Sequence, residues 1–268
     1  MYYNILTTSS LIAAMEANAQ EAALLWGRVL HAQFYTERDI TLFVSSLPFH
    51  MCNGIIRTQL TGKDIDAKIS EVAKLPGIHH VPMVLLVGPS TLPSDIEKRL
   101  GAYGWFLDDE APGMAIDLLA TNSFPSIPSK LSVKEVTNGE MLQQWIRTMT
   151  TGSNIPDSIC DLLLDLYNQH GFTAHPSVRY YLGLLDGKPV ATSLLFLGGG
   201  VAGIYNVATL PEARKRGFGT ALTVVPLLEA RSLGYRFGIL QSTAMGLNIY
   251  RRIGFQEYCT FRFYFSPT

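Results

Sequence analysis

Hydrophobic positions in this chain repeat with helical and strand periods in alternation, and the changes of period divide it into elements. Leu11 to Leu30 places Ile12, Met15, Ala19, Ala22, Ala23, Trp26 and Leu30 near one helical face and keeps its acids off that stripe. Strand-like runs follow at 40–44 and 54–60. A helix is predicted from Asp64 to Leu75, with Ile65, Ile69, Val72 and Leu75 inward and Pro76-Gly77 as its stop. The unbroken apolar run 81–87 reads as a central buried strand. A short helix with Ser94 as N-cap then carries Ile96 and Leu100 to Gly104-Trp105, and 114–119 reads as another strand. Residues 121–130 are rich in Pro and Ser without periodicity, which marks a linker and divides the chain into 1–125 and 126–268.

The second half opens with a strand at 131–136, then a helix capped by Asn138 that carries Met141, Leu142, Trp145, Ile146 and Met149. After the break at Gly152-Ser153-Asn154, a second helix is predicted over 159–167. Three antiparallel strands come next, at 178–185, 189–197 and 201–208, joined by Asp186-Gly187 and by Gly198-Gly199-Gly200. A helix from Phe218 to Leu233 is expected to kink at Pro226, because a ring nitrogen there removes one helical bond. A strand at 237–243, a short helix at 246–253 closed by Gly254-Phe255, and a strand at 256–265 complete the chain. The stretch Pro189 to Pro211 has no charge and is long enough for a membrane helix, but its glycine run and β-branched residues favour two buried strands.

Composition narrows the function classes. A formal net charge of -1 leaves no electrostatic footprint for nucleic acid. Cys52, Cys160 and Cys259 are far apart and match no metal-ligand spacing, so no metal and a reducing, cytoplasmic setting are expected. The N-terminus lacks the basic region of a signal peptide, and no membrane partner is expected.

Against this near-neutral background, Arg214-Lys215-Arg216 stands directly before Gly217-Phe218-Gly219 and the start of a helix. A helix N-terminus already carries partial positive charge and unpaired N–H groups, so cations are disfavoured there unless an anion is bound. Two glycines let the backbone approach such an anion closely. The competing reading is a solvated basic turn.

The order of elements resembles the GCN5-related N-acetyltransferases. Their Arg/Gln-x-x-Gly-x-Gly/Ala motif corresponds to Arg214 through Gly219, and their Tyr-x-x-x-Gly-Phe signature to Tyr250 through Phe255. The match covers about 201–265, and 131–197 fits the preceding part of the fold more loosely. The first half resembles a worn second copy: 81–87, 94–102 and Gly104-Trp105 echo 237–243, 246–253 and Gly254-Phe255. Where that copy would hold a pyrophosphate it has Thr61-Gly62-Lys63-Asp64-Ile65-Asp66, whose carboxylates repel one. The expected fold is therefore α/β (α+β): two tandem domains, each a mixed, mostly antiparallel sheet flanked by helices, with one cofactor site.

The resemblance implies acetyl-CoA, or another acyl-CoA, as co-substrate. Its pyrophosphate is expected on Arg214, Lys215, Arg216, Gly217, Phe218, Gly219, Thr220 and Ala221, and its pantetheine arm along the main chain of Asn206, Val207, Ala208 and Thr209. The implied reaction moves a short acyl group to an amine of a small molecule or peptide, by a protein that is a monomer or homodimer. Tyr250 is expected to bind the cofactor and act as the acid, and Val207 or Ala208 to donate an N–H to the oxyanion. No carboxylate lies in Gly203-Ile204-Tyr205-Asn206-Val207, so the base is open between a water positioned by Asn206 or Tyr205 and His170 or His175. A binding module without transfer activity, and a hydrolase or decarboxylase on the same fold, remain alternatives.

Overall fold

The computed structural model describes residues 7–171 and 174–267. Its elements are α1 (Thr8–Val29), β1 (Gln33–Thr36), β2 (Ile40–Val44), β3 (Asn53–Thr58), α2 (Ile65–His79), β4 (Val84–Val87), α3 (Ile96–Gly101) and β5 (Phe106–Asp117). They continue with β6 (Leu131–Glu135), α4 (Gly139–Gly152), α5 (Asp157–His170), β7 (Val178–Leu185), β8 (Lys188–Gly198), β9 (Val201–Thr209), α6 (Phe218–Ser232), β10 (Phe237–Gln241), α7 (Leu247–Ile253) and β11 (Gln256–Phe265).

The two compact units do not follow the linear division at 125/126. The larger unit combines residues 7–18 with Gly113–Tyr258, and the smaller one Ala19–Pro112 with residues 259–267. The reason is strand pairing. The end of β5 pairs antiparallel with β10, from Asp117 opposite Phe237 to Gly113 opposite Gln241. The end of β11 pairs antiparallel with β4, from Arg262 opposite Val87 to Phe265 opposite Val84. Local periodicity identifies these strands and carries no information about the partner each one takes.

The larger unit is a sheet ordered β5-β10-β9-β8-β7-β6, antiparallel except for β9 and β10. Ala221, Leu222, Val224 and Leu227 of α6 share one buried cluster with Leu195, Ala202, Ile204 and Leu240. Pro226 lies inside α6, and the helix continues through it to Ser232 instead of stopping. The Asn138 side chain accepts from the Met141 N–H at 2.9 Å, as its N-cap position predicts. Asp186 and Gly187, at φ 49° and 77°, close the β7–β8 hairpin in the left-handed conformations its tight turn requires.

Strand alternation sends Gly203 and Tyr205 to the face opposite Ala202 and Ile204, and there they meet Asn18 of α1. Asn18 is fully buried. Its Nδ2 donates to the carbonyls of Gly198 at 2.8 Å, Val201 at 3.2 Å and Phe196 at 3.4 Å, and its Oδ1 accepts from the Tyr205 hydroxyl at 2.7 Å. A Cβ on Gly203 would sit 2.3 Å from that Oδ1, so only glycine fits beside it. We expect Asn18→Ala to destabilise the larger unit by about 3 kcal/mol, because it leaves buried carbonyls and the Tyr205 hydroxyl without their partner. Asn18→Asp should be worse, since it sets carboxylate oxygen against carbonyl oxygens. Denaturant midpoints of the two variants check the order.

The smaller unit is a sheet ordered β1-β2-β3-β4-β11, with β3 and β4 parallel. Its core gathers Ile55, Ile69, Val72, Met83, Leu85, Ile96 and Leu100. Here α2 runs past Pro76-Gly77 to His79 instead of ending there. His80, at φ 55°, ends it by returning its N–H to the Pro76 carbonyl. A proline this close to the C-terminus removes one bond and leaves the final turn its other anchors.

Candidate active site

The site is assembled at the far end of β9. Tyr205 stands opposite Leu194 and Ala208 opposite Thr192, so Asn206 and Val207 together face Ser193 alone. This is a β-bulge, and Asn206 takes it at φ 51°. Asparagine is among the few residues that adopt that region readily. The Thr192 Oγ1 holds the bulge by donating to the Asn206 carbonyl at 3.0 Å. The Ser193 hydroxyl is buried there without a hydrogen-bond partner among the described residues.

On its other side β9 pairs with β10 at two positions, Ala202 with Gly238 and Gly203 with Ile239. Beyond them the strands part, while β9 runs on to Thr209. The edge of its last residues has no ladder partner on that side among the described residues. An extended ligand would find main-chain donors and acceptors along that edge.

The chain then turns through Pro211–Ala213 into Arg214-Lys215-Arg216-Gly217. Lys215 at φ 60° and Gly217 at φ 78° are both left-handed, and Gly217 is the N-cap of α6. Residues of left-handed backbone interleaved with others form a concave nest of N–H groups, and the helix dipole adds positive potential. A Cβ on Gly219 would have the Thr209 Oγ1 at 3.8 Å as its nearest neighbour, so the helix start lies beside the end of β9.

The three cations differ from one another. Arg214 was expected to face the anion with its neighbours, yet its Nε donates to the Thr209 carbonyl at 3.2 Å and its Nη2 to the Gly152 carbonyl at 3.1 Å. It thus joins the end of β9 to the negative end of α4. Arg216 lies over the Phe218 ring, 4.9 Å from its centroid, and Lys215 is exposed.

Tyr250 lies on α7 in the same buried cluster as Phe218 and Ala221 of α6. Its ring meets Phe255 edge-on, with centroids 5.9 Å apart. Gly246 makes room for it, since a Cβ there would come within 2.6 Å of the ring. Burial pushes the phenol up to about 12. Gly254, at φ 113°, caps α7 by donating to the carbonyls of Tyr250 and Arg251.

Of the two candidate histidines, His175 lies apart from this arrangement. His175 lines a cavity of about 480 Å³ with Glu135, Arg179 and Tyr180. Across the sheet, Val178 is level with Phe196 and Gly203, whereas Thr209 is level with Ala191 and Gly183. That cavity therefore opens at the end of β7 away from the glycine turn. His170 is exposed at the end of α5. Sequence reasoning missed Asn18 and Ser193; the glycine at 203 was the one local sign that something polar and close stood opposite.

Residues 140–255 match the model of the acetyltransferase (GNAT) family. No curated protein matches the chain by sequence. Among solved structures, a GCN5-related N-acetyltransferase from Kribbella flavida superposes with a TM-score of 0.69 at 16% identity, covering 93% of this chain and 96% of that one. A GCN5-related N-acetyltransferase from Sphaerobacter thermophilus gives a TM-score of 0.61 at 16% identity, with 96% and 91% covered. A tandem GNAT protein from the clavulanic acid biosynthesis pathway gives 0.59 at 14% identity, with 85% and 79% covered. At such identities the likeness is one of fold.

Proposed function

We propose that this chain, whose residues 140–255 match the GNAT acetyltransferase family and whose fold is like that of a tandem GNAT protein, transfers a short acyl group from acyl-CoA to an amine of a small molecule or peptide. One observation carries the proposal: the unpaired end of β9 leads directly into the left-handed nest at Lys215 and Gly217. In this reading the pantetheine arm lies along Asn206 to Thr209 and the pyrophosphate sits on the N–H groups from Lys215 to Ala221. Arg216 and Lys215 add charge from outside, and Arg214 shapes the turn.

The amine nitrogen attacks the thioester carbonyl carbon and forms the C–N bond. The oxygen becomes an oxyanion, held by the N–H of Val207 or Ala208, and then the C–S bond breaks. The amine proton passes to a water positioned by Asn206. Tyr250 faces the leaving sulfur as a hydrogen-bond donor. Burial raises the phenol further above an ordinary thiol, about 8.5, so complete proton transfer to the thiolate is uphill. Tyr250 thus keeps its proton at neutral pH and stabilises the developing thiolate, which is finally protonated by solvent.

The test is thiol release from acetyl-CoA with and without a panel of amines. Amine-dependent release is expected. Release without any amine would make the protein a hydrolase, and tight binding without release would make it a sensor. Tyr250→Phe should lower kcat about 10–100-fold with KM for acetyl-CoA nearly unchanged. Equal losses in both would reduce Tyr250 to a packing residue.

A further inference from the structure

The two units repeat one run of elements. In the larger unit it is β9-α6-β10-α7, and in the smaller one β3-α2-β4-α3. Both long helices have 15 residues, and both contain a proline, Pro226 in α6 and Pro76 in α2. The parallel pairing is equally brief in each. Gly54 and Ile55 pair with Val84 and Leu85, just as Ala202 and Gly203 pair with Gly238 and Ile239. Each unit therefore opens a cleft between its parallel strands beyond the second pair.

What happens beyond that point differs. In the smaller unit, the chain leaving β4 turns at Gly88, where the Thr91 Oγ1 accepts from the Gly88 N–H at 2.9 Å, and comes back against the prolonged edge of β3. The Leu92 N–H donates to the Thr58 carbonyl at 3.1 Å, and the Leu60 N–H donates to the Leu92 carbonyl at 3.1 Å. These two bonds make a parallel bridge between Gln59 and Leu92. The Gln59 side chain adds a bond to the Ser90 carbonyl, and the Ile96 N–H one to the Pro93 carbonyl at 3.1 Å. The helix after β3, α2, starts at Asp64-Ile65-Asp66 with carboxylates at its N-terminus, and before it stands a single positive-φ glycine, Gly62, in place of the Lys215 and Gly217 pair.

We infer that the segment Thr91–Pro93 occupies the smaller unit's own cofactor cleft as a built-in strand, in the place an acyl-CoA arm takes in the larger unit. The smaller unit is thereby a self-filled pseudosite, and the chain binds one equivalent of acyl-CoA. This rests on the reading of the larger unit proposed above. A segment tethered by a few residues has an effective concentration on the order of mM, above the micromolar range in which many co-substrates are used. An external arm making the same main-chain bonds cannot displace it, and the acids at α2 disfavour the pyrophosphate as well.

Calorimetric titration of the full chain with acetyl-CoA should give a stoichiometry of one, and Gly217→Trp should weaken that single binding event by at least about 100-fold. Hydrogen exchange on the wild type adds a measurement that needs no variant. The amides of Leu60 and Leu92 should be protected without ligand and unchanged by it, while 206–209 and 215–220 gain protection when acetyl-CoA is added. A stoichiometry of two, or ligand-induced protection at Leu60 and Leu92 in the wild type or in folded Gly217→Trp, would overturn the inference and leave the larger unit's function standing. Unprotected Leu60 and Leu92 amides in the free protein would also overturn it. No binding by the wild type at all would instead remove the reading on which it rests.

Discussion

Gly217→Trp is expected to weaken acyl-CoA binding by at least about 100-fold while the protein still unfolds cooperatively. Gly217 sits at φ 78°, where a side chain strains the backbone by roughly 1–2 kcal/mol. Its missing Cβ would stand 3.3 Å from the Pro128 ring, so an indole must turn outward into the nest where the pyrophosphate is placed. Hydrogen bonds to an ionised group contribute roughly 1.5–3 kcal/mol each, and the loss of two accounts for the expected factor. Gly217→Ala, which introduces the strain and little bulk, should lose about tenfold. The position is exposed and belongs to no core cluster, so stability should change far less than affinity. Calorimetry with acetyl-CoA provides the check, and an unchanged dissociation constant in Gly217→Trp would displace the pyrophosphate from this turn.

A fragment comprising residues 126–268 is expected not to fold, although it contains every residue of the proposed site. Cutting at the linker removes the five residues of β5 that pair with β10, from Gly113 to Asp117. It also removes Asn18, whose amide serves three carbonyls at the β8–β9 hairpin. The exposed edge of β10 and the apolar face left under α1 favour aggregation. The converse fragment, 1–125, lacks the β11 residues that pair with β4. Thermal unfolding followed by near-ultraviolet circular dichroism distinguishes the outcomes. A cooperative transition from 126–268 alone would show that the exchanged strand and helix segments are dispensable.

The glycine turn illustrates what local chemistry can establish. Three cations before Gly-x-Gly at a helix start are unfavourable without an anion, and that conflict can be read residue by residue. The structure supplies the left-handed backbone at Lys215 and Gly217 that the argument needs. It also takes Arg214 out of the anion-facing set, because its reach to Gly152 depends on where α4 ends relative to β9. Spacing along the sequence carries no such information. Tyr250 behaves similarly: the motif identifies the position, but the burial that raises its phenol comes from the cluster it shares with α6 and Phe255.

Turns, caps and strand periods are properties of a few adjacent residues and are legible in the chain itself. They include the Asp186-Gly187 and Gly199-Gly200 hairpins, the Asn138 cap, the helix stop at Gly254, and the strands on either side of the glycine turn. The tertiary structure alone decided which strand lies beside which. It exchanged β5 and β11 between the two repeats, brought Asn18 to Gly203 and Tyr205, and laid Leu92 against Thr58 and Leu60. The physical reason is that main-chain hydrogen bonds are the same for every residue. A strand's sequence therefore specifies its exposed and buried faces well and its neighbour poorly, and the neighbour is chosen by the packing of the whole chain.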